Sequence, residues 1–155
     1  TRSYAVTGVQ TCALPISVLR RAGLIDRTVH CRNDDPVLCA RELADHIAKK
    51  HGRPRIALVG LQPRMLQELS KQFEIKATDL DPDNIGREKF GVMVEGPNRT
   101  GPNLAWCDLV LATGSAFCNA TIMDIVKERP TIVFGVTGAG PAALLNLDRF
   151  CPRGA

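Results

Sequence analysis

Leu109-Val110-Leu111-Ala112-Thr113-Gly114-Ser115 decides the fold. Four apolar residues run together and then stop at Thr, Gly and Ser. A strand with one wet face alternates apolar and polar residues, whereas a strand covered on both faces is continuously apolar. The stretch therefore predicts a buried parallel strand that opens into a loop at its carboxyl end. The same signature recurs on either side. Ile56-Ala57-Leu58-Val59 ends at Gly60, and a run from Ile75 to Leu80 ends in Ala77-Thr78-Asp79-Leu80-Asp81-Pro82-Asp83. Thr131 to Phe134 passes into Gly135-Val136-Thr137-Gly138-Ala139-Gly140. In open α/β sheets such strand ends form the crevice where ligands bind.

Helical periods separate these strands. Asp34-Asp35-Pro36 is a helix start, with an Asp cap and an early proline, followed by Leu38, Leu43, Ala44 and Ile47 at helical spacing. Lys49, Lys50 and His51 suit its last turn, and Gly52 can close it. Met65, Leu66 and Leu69 mark one face of a second helix; Ala120, Ile122, Ile125 and Val126 mark another; Ala142, Leu144 and Leu145 mark the last. Val92-Met93-Val94 is a weaker strand, and residues 95–103, with Gly96, Pro97, Gly101 and Pro102, read as a loop. Strands alternating with helices require right-handed parallel crossovers. The expected fold is α/β: a Rossmann-like open parallel sheet of about five strands in the order 3-2-1-4-5, with helices on both faces.

Composition narrows the function classes. The chain has 155 residues, 45% apolar and 23% charged, which suits one domain with its own core. No apolar run approaches the ~20 residues that span a bilayer, so no membrane role is expected. The net charge is only +4, the basic residues are scattered and aromatics are 5%, a pattern that argues against a nucleic-acid partner. Residues 6–16, Val-Thr-Gly-Val-Gln-Thr-Cys-Ala-Leu-Pro-Ile, look like a translated sequencing adapter. The expected organisation is therefore an artefact over 1–17, a remnant of an upstream region over 18–34, and a Rossmann-like domain over 35–155. Outside that segment the cysteines are Cys31, Cys39, Cys107, Cys118 and Cys151. Their number is odd, no CxxC occurs and no secretory signal is evident, so reduced thiols in a cytoplasm are the expectation.

Candidate ligand-binding residues come from the strand ends. Gly60 with Gln62-Pro63 lacks both G-x-G-x-x-G and the phosphate loop G-x-x-x-x-G-K-[ST]. A helix starting near Pro63 still offers N–H groups and a positive dipole end to an anion, while Gly60 equally suits a bare tight turn. Asp79 and Asp81 stand where nucleotide-binding domains place a ribose acceptor, and Asp83 and Asn84 make a turn cap an equal reading. Strand alternation would let only one of the two acids face the crevice without a local twist. Thr113, Gly114 and Ser115, with Asn119 a helical turn on, combine close backbone approach with neutral donors, and Ser115 also suits a helix cap. Ser115 has no recognisable His or Asp partner, so no nucleophile is assigned and no catalytic residue is expected. Gly135, Thr137 and Gly138 form an N–H-rich loop suited to a carboxylate or phosphate. Metal candidates are His30, Cys31 and Cys39, with Cys118 and Cys151 behind them; no standard zinc spacing is present. Cys107 and Trp106 read as packing residues.

Several phrases together resemble the heavy-metal chelation family of archaea and anaerobic bacteria. They are Thr28-Val29-His30-Cys31, Ile56 to Gly60 with Gln62-Pro63, Asp79-Leu80-Asp81-Pro82-Asp83-Asn84-Ile85-Gly86, Thr113-Gly114-Ser115 with Asn119 and Thr121, and Leu147-Asp148-Arg149-Phe150-Cys151-Pro152. The resemblance implies a Rossmann-like carboxyl-terminal domain that follows a smaller α+β domain, with a ligand cleft between the two. On this resemblance the preceding domain, a partner in cis, is expected to be missing from this chain. It also implies a transition metal or metal-bearing cofactor as ligand, and it leaves oligomerisation open. The expected function is metal or metal-cofactor binding at the strand ends without covalent chemistry. The alternatives are an S-adenosylmethionine-dependent methyltransferase-like enzyme, using Gly60 and Asp79, and a non-catalytic partner-binding module.

Overall fold

A computed structural model describes residues 17–23, 34–118, 122–126 and 129–152. Most of the expected artefact and remnant, including His30 and Cys31, lies outside the described residues, as does Asn119. Residues 17–21 form a helical turn, with Leu19 buried.

The described chain then runs α1 (Asp35–His51), β1 (Ile56–Val59), α2 (Pro63–Leu69), β2 (Ile75–Thr78), β3 (Glu88–Lys89) and β4 (Val92–Glu95). A 3-10 turn at Pro97–Arg99 leads into α3 (Thr100–Trp106), β5 (Leu109–Thr113), α4 (Ser115–Cys118) and α5 (Ile122–Ile125). β6 (Thr131–Phe134), a second 3-10 turn, α6 (Ala139–Leu144) and β7 (Arg149–Phe150) complete it. The sheet order is β3-β4-β2-β1-β5-β6-β7. All pairings are parallel except β3 with β4. The five strands read from sequence keep their order, but the count is seven: a two-residue strand flanks each side, too short to leave a periodic signal. β2 also ends at Thr78, two residues before the expected end at Leu80.

Strand parity builds two cores, one on each face. Ile56 and Leu58 of β1, Ile75 and Ala77 of β2, Leu109 and Leu111 of β5, and Ile132 and Phe134 of β6 pack with α1 and α2. The intervening Ala57, Val110 and Ala112 pack with Leu104, Ala116, Ile122 and Ile125 on the opposite face. Cys107 belongs to this second core; its Sγ donates to the Leu104 carbonyl at 3.4 Å, and burial pushes the thiol pKa up. Trp106 packs at the amino end of the sheet, with Lys76 Nζ 4.4 Å and the Arg55 guanidinium 5.5 Å from its ring centre.

Helix ends follow partly from expectation. Asp34 is the N-cap of α1, but its side chain makes no cap bond; its backbone carbonyl accepts from Val37 and Leu38 instead. Lys49, Lys50 and His51 occupy the last turn, and Gly52, at φ +73°, ends it. The greater departure is α3, where a loop was expected. Gly101 and Pro102 fall within its first turn, where the missing proline N–H has no helical partner to lose. No described helix is long and apolar enough to cross a membrane.

Leu111 is fully buried in β5, between β1 and β6. Leu111→Ala is expected to cost about 2–5 kcal/mol, read as a lower urea midpoint with unchanged m-value.

Candidate functional site

β1 and β5 lie side by side, yet the chain leaves them toward opposite faces. After β1 it enters α2, on the α1 side; after β5 it enters α4 and α5, on the α3 side. This is the topological switch point of an open sheet, where crevices form. Gly60 sits there at φ +85°, and a Cβ on it would collide with the Thr113 side chain. Gly114 is constrained similarly by Thr137 and the backbone of Gly138. Glycine is required at both positions because neighbouring loops occupy the space a side chain would need.

Two hollows open at the strand tips, and Thr113 lines both. The larger, about 660 Å³, lies between the tips of β1, β2 and β5 and the helices α3, α4 and α5. Val59, Leu80, Leu104, Ala116 and Ile125 give it apolar walls. Thr78, Thr100, Thr113 and Ser115 supply hydroxyls, and Asp79, Asp81 and Asp124 supply carboxylates. Thr113 Oγ1 and Ser115 Oγ share a hydrogen bond of 2.5 Å, and Thr100 Oγ1 donates to Thr78 Oγ1 at 3.4 Å. No Lys, Arg or His among the described residues lines it. The smaller hollow, about 250 Å³, lies toward α1 and α2 and is lined by Cys39, Gln62, Met65, Gly135, Thr137 and Cys151 among others.

The sequence-predicted residues thus divide between two cavities rather than sharing one. Gly60, Asp79, Asp81, Thr113 and Ser115 line the larger; Gln62, Thr113, Gly114, Gly135 and Thr137 line the smaller. Pro63 is exposed at the first position of α2 and lines neither, and Gly138 is buried beneath Gly114. Gln62 is the N-cap of α2, its Oε1 accepting from Met65 N at 2.9 Å. Both acids of the Asp-Leu-Asp run reach the larger cavity, against the alternation expected of a strand. The strand has already ended at Thr78, so 79–86 is a turn whose side chains follow turn geometry.

That turn is braced by its own carboxylates. Asp79 Oδ1 accepts from Leu80 N at 2.7 Å and Asp81 N at 3.1 Å. Its Oδ2 accepts from Leu61 N at 3.2 Å and Asn84 Nδ2 at 3.0 Å. Four protein donors fill the acceptor positions of one carboxylate. Asp79 therefore ties the β1 loop to the β2 turn and has no lone pair left for ribose hydroxyls. Asp81 accepts from Asp83 N and from Asn84 Nδ2, and Lys89 Nζ donates to Asn84 Oδ1 at 2.6 Å. Behind α3, Glu95 accepts from Asn103 Nδ2 at 2.7 Å and Arg99 Nε at 3.1 Å. The Asn103 hydrogen bond and then the Arg99 guanidinium hold its carboxyl below the ordinary range, against partial burial.

The wall formed by Pro97, Thr100, Gly101 and Leu104 was missed from sequence, as was Asp124. The 3-10 turn at Pro97–Arg99 and the short Thr100–Trp106 helix bring the first group there, and the Gly and Pro residues of this stretch masked it. Among the described residues no group of three or more His, Cys, Asp or Glu could hold a metal ion. The three cavity carboxylates therefore do not form a cation site, and a tetrahedral zinc centre does not fit the described residues. Cys118 falls in α4, but its side chain lies outside the described residues, so it adds nothing to this test.

Sheet order, switch point and strand-end cavity together define an α/β domain built on a mostly parallel seven-stranded sheet. The chain belongs to the family DUF364, described as "Putative heavy-metal chelation", whose profile matches residues 42–148. Among solved structures it is similar to a protein of unknown function from the same family, from Pyrococcus horikoshii, at 14% identity and a TM-score of 0.49. That similarity covers 89% of this chain and 58% of the other, so this chain spans little more than half of that protein's length. No curated protein matches it.

Two outcomes test this geometry. Gly60→Ala is expected to destabilise by about 1–3 kcal/mol. Thr113→Ala in the same chain should restore the steric part and not the positive-φ part, giving a non-additive double-mutant cycle in urea unfolding. Glu95 contributes stability above its unfolded pKa of about 4.3, and that contribution is lost as pH falls through its lower folded value. Glu95→Gln should flatten this part of the acid limb in a melting-temperature series against pH.

Proposed function

We propose that this domain binds a neutral or cationic organic ligand carrying a metal, gripped through its organic part in the larger cavity. The single observation behind this is the cavity's character. It has cofactor-sized volume, apolar walls, hydroxyl donors and three carboxylates, and no Lys, Arg or His among the described residues lines it. Such a field repels phosphates and carboxylates and favours positive charge or amide donors. Membership in a family described by heavy-metal chelation supports the metal as part of the ligand.

In this reading the metal-bearing group supplies the coordination chemistry. The chain's own residues hold and orient. Leu104, Ile125 and Ala116 cover apolar ligand surface, Thr78 and Thr100 offer hydroxyls, and Asp81 and Asp124 set the negative potential. Asp79 acts one step back, keeping the β1 loop and β2 turn in register. The methyltransferase-like alternative loses its ribose acceptor, because Asp79 is already fully used by protein donors. A cavity of about 660 Å³ favours a small-molecule ligand over a partner-binding module with a shallow strand-end face.

Titration calorimetry on the 155-residue chain at low salt is the test. A metal-loaded tetrapyrrole with amide side arms should bind, and one with carboxylate arms should bind more weakly. Ala116→Trp, which fills the cavity, should reduce binding by about 10-fold or more, since an overfilled pocket rejects its ligand. S-adenosylmethionine should produce no thermal shift. Absence of tetrapyrrole heat, or binding indifferent to Ala116→Trp, would overturn the reading.

A further inference from the structure

The smaller hollow gathers three sulfur-bearing side chains from three separate elements: Cys39 of α1, Met65 of α2, and Cys151, just beyond β7. Cys39 and Met65 are buried and Cys151 is half-buried. Both cysteines are thiols. Pro36, Phe134 and Phe150 complete an apolar surround. Soft thiolate and thioether donors select soft ions such as Cu(I) over Mg²⁺ or Ca²⁺. A zinc centre needs four ligands, and this hollow does not hold them. A closed-shell monovalent ion asks for less, since two thiolates satisfy it in near-linear coordination and a thioether can approach as a weak third donor.

We propose that Cys39 and Cys151 form a binding site for one soft monovalent ion of the Cu(I) class, with Met65 as the auxiliary donor. This goes beyond the reading above: the hollow lies on the other side of the Thr113 tip, and the ligand is a bare ion. On binding, each thiol releases its proton to solvent and two S–metal bonds form, with no change in oxidation state. Pro36, Phe134 and Phe150 give the hollow apolar walls, and Gln62, the N-cap of α2, lines it as well.

The experiment uses the 155-residue chain carrying C12S, C31S and C118S, so that Cys107, buried on the far side of the sheet, is the only other thiol. Under anaerobic conditions Cu(I) is titrated in competition with a chromophoric Cu(I) chelator. One ion per chain is expected. Cys39→Ala and Cys151→Ala should each weaken binding by more than about 100-fold, beyond the 10–100-fold that loss of a merely supporting group costs. Met65→Leu should weaken it by about 10-fold. Circular dichroism checks each fold, and Cys151→Ala, at a half-buried position, carries the test if Cys39→Ala does not fold. Failure to bind Cu(I), or unchanged affinity in a folded Cys151→Ala chain, would overturn the proposal. Ala116→Trp should leave Cu(I) binding intact and Cys151→Ala should leave tetrapyrrole binding intact, so each failure is read separately.

Discussion

The contact between Gly60 and Thr113 is the constraint on which the site depends. β1 and β5 are neighbours, and their outgoing chains must part to opposite faces of the sheet. Thr113 occupies the gap that this parting creates, and it can do so only because residue 60 has no side chain and takes a positive φ. From there Thr113 reaches Ser115 and borders both hollows. A larger residue at 60 would displace the one side chain common to the two cavities.

Around that point the polar residues divide into those that hold the frame and those that set the field. Asp79 spends its carboxylate on four local donors, and Asn84 links it to Asp81 and Lys89. Both carboxylates also line the larger cavity, so the braced turn contributes negative potential there. The same residues thus do structural work at short range and electrostatic work at longer range. On the α1 side the chemistry changes to sulfur and aromatic carbon. One strand tip therefore separates two hollows of different chemistry.

The central architecture was legible because fully buried strands leave an unambiguous mark. Ile56–Val59, Leu109–Ala112 and Thr131–Phe134 each read as continuous apolar runs, and their order followed from crossover rules. What escaped was local. β3 and β7 are two residues long, below any periodicity, and α3 hides behind Gly101 and Pro102. The site was legible only as a rim. Strand-end glycines and acids marked where ligands could approach, but not that the rim divides around Thr113. Alternation misled for Asp79 and Asp81 because a strand rule was carried past the end of the strand at Thr78. Asp124 had no signal at all: only the packing of α5 brings it to the cavity.

The two marginal strands carry a consequence of a different kind. A parallel sheet ending in a long bare strand would present a ladder of unpaired amides to any other chain. Here β3 folds back antiparallel over part of β4 through the Phe90-Gly91 turn, and β7 covers part of β6. Each outermost strand is two residues long, which offers a passing polypeptide almost nothing to extend. The sheet thereby resists edge-to-edge aggregation while its strand tips stay open to small molecules.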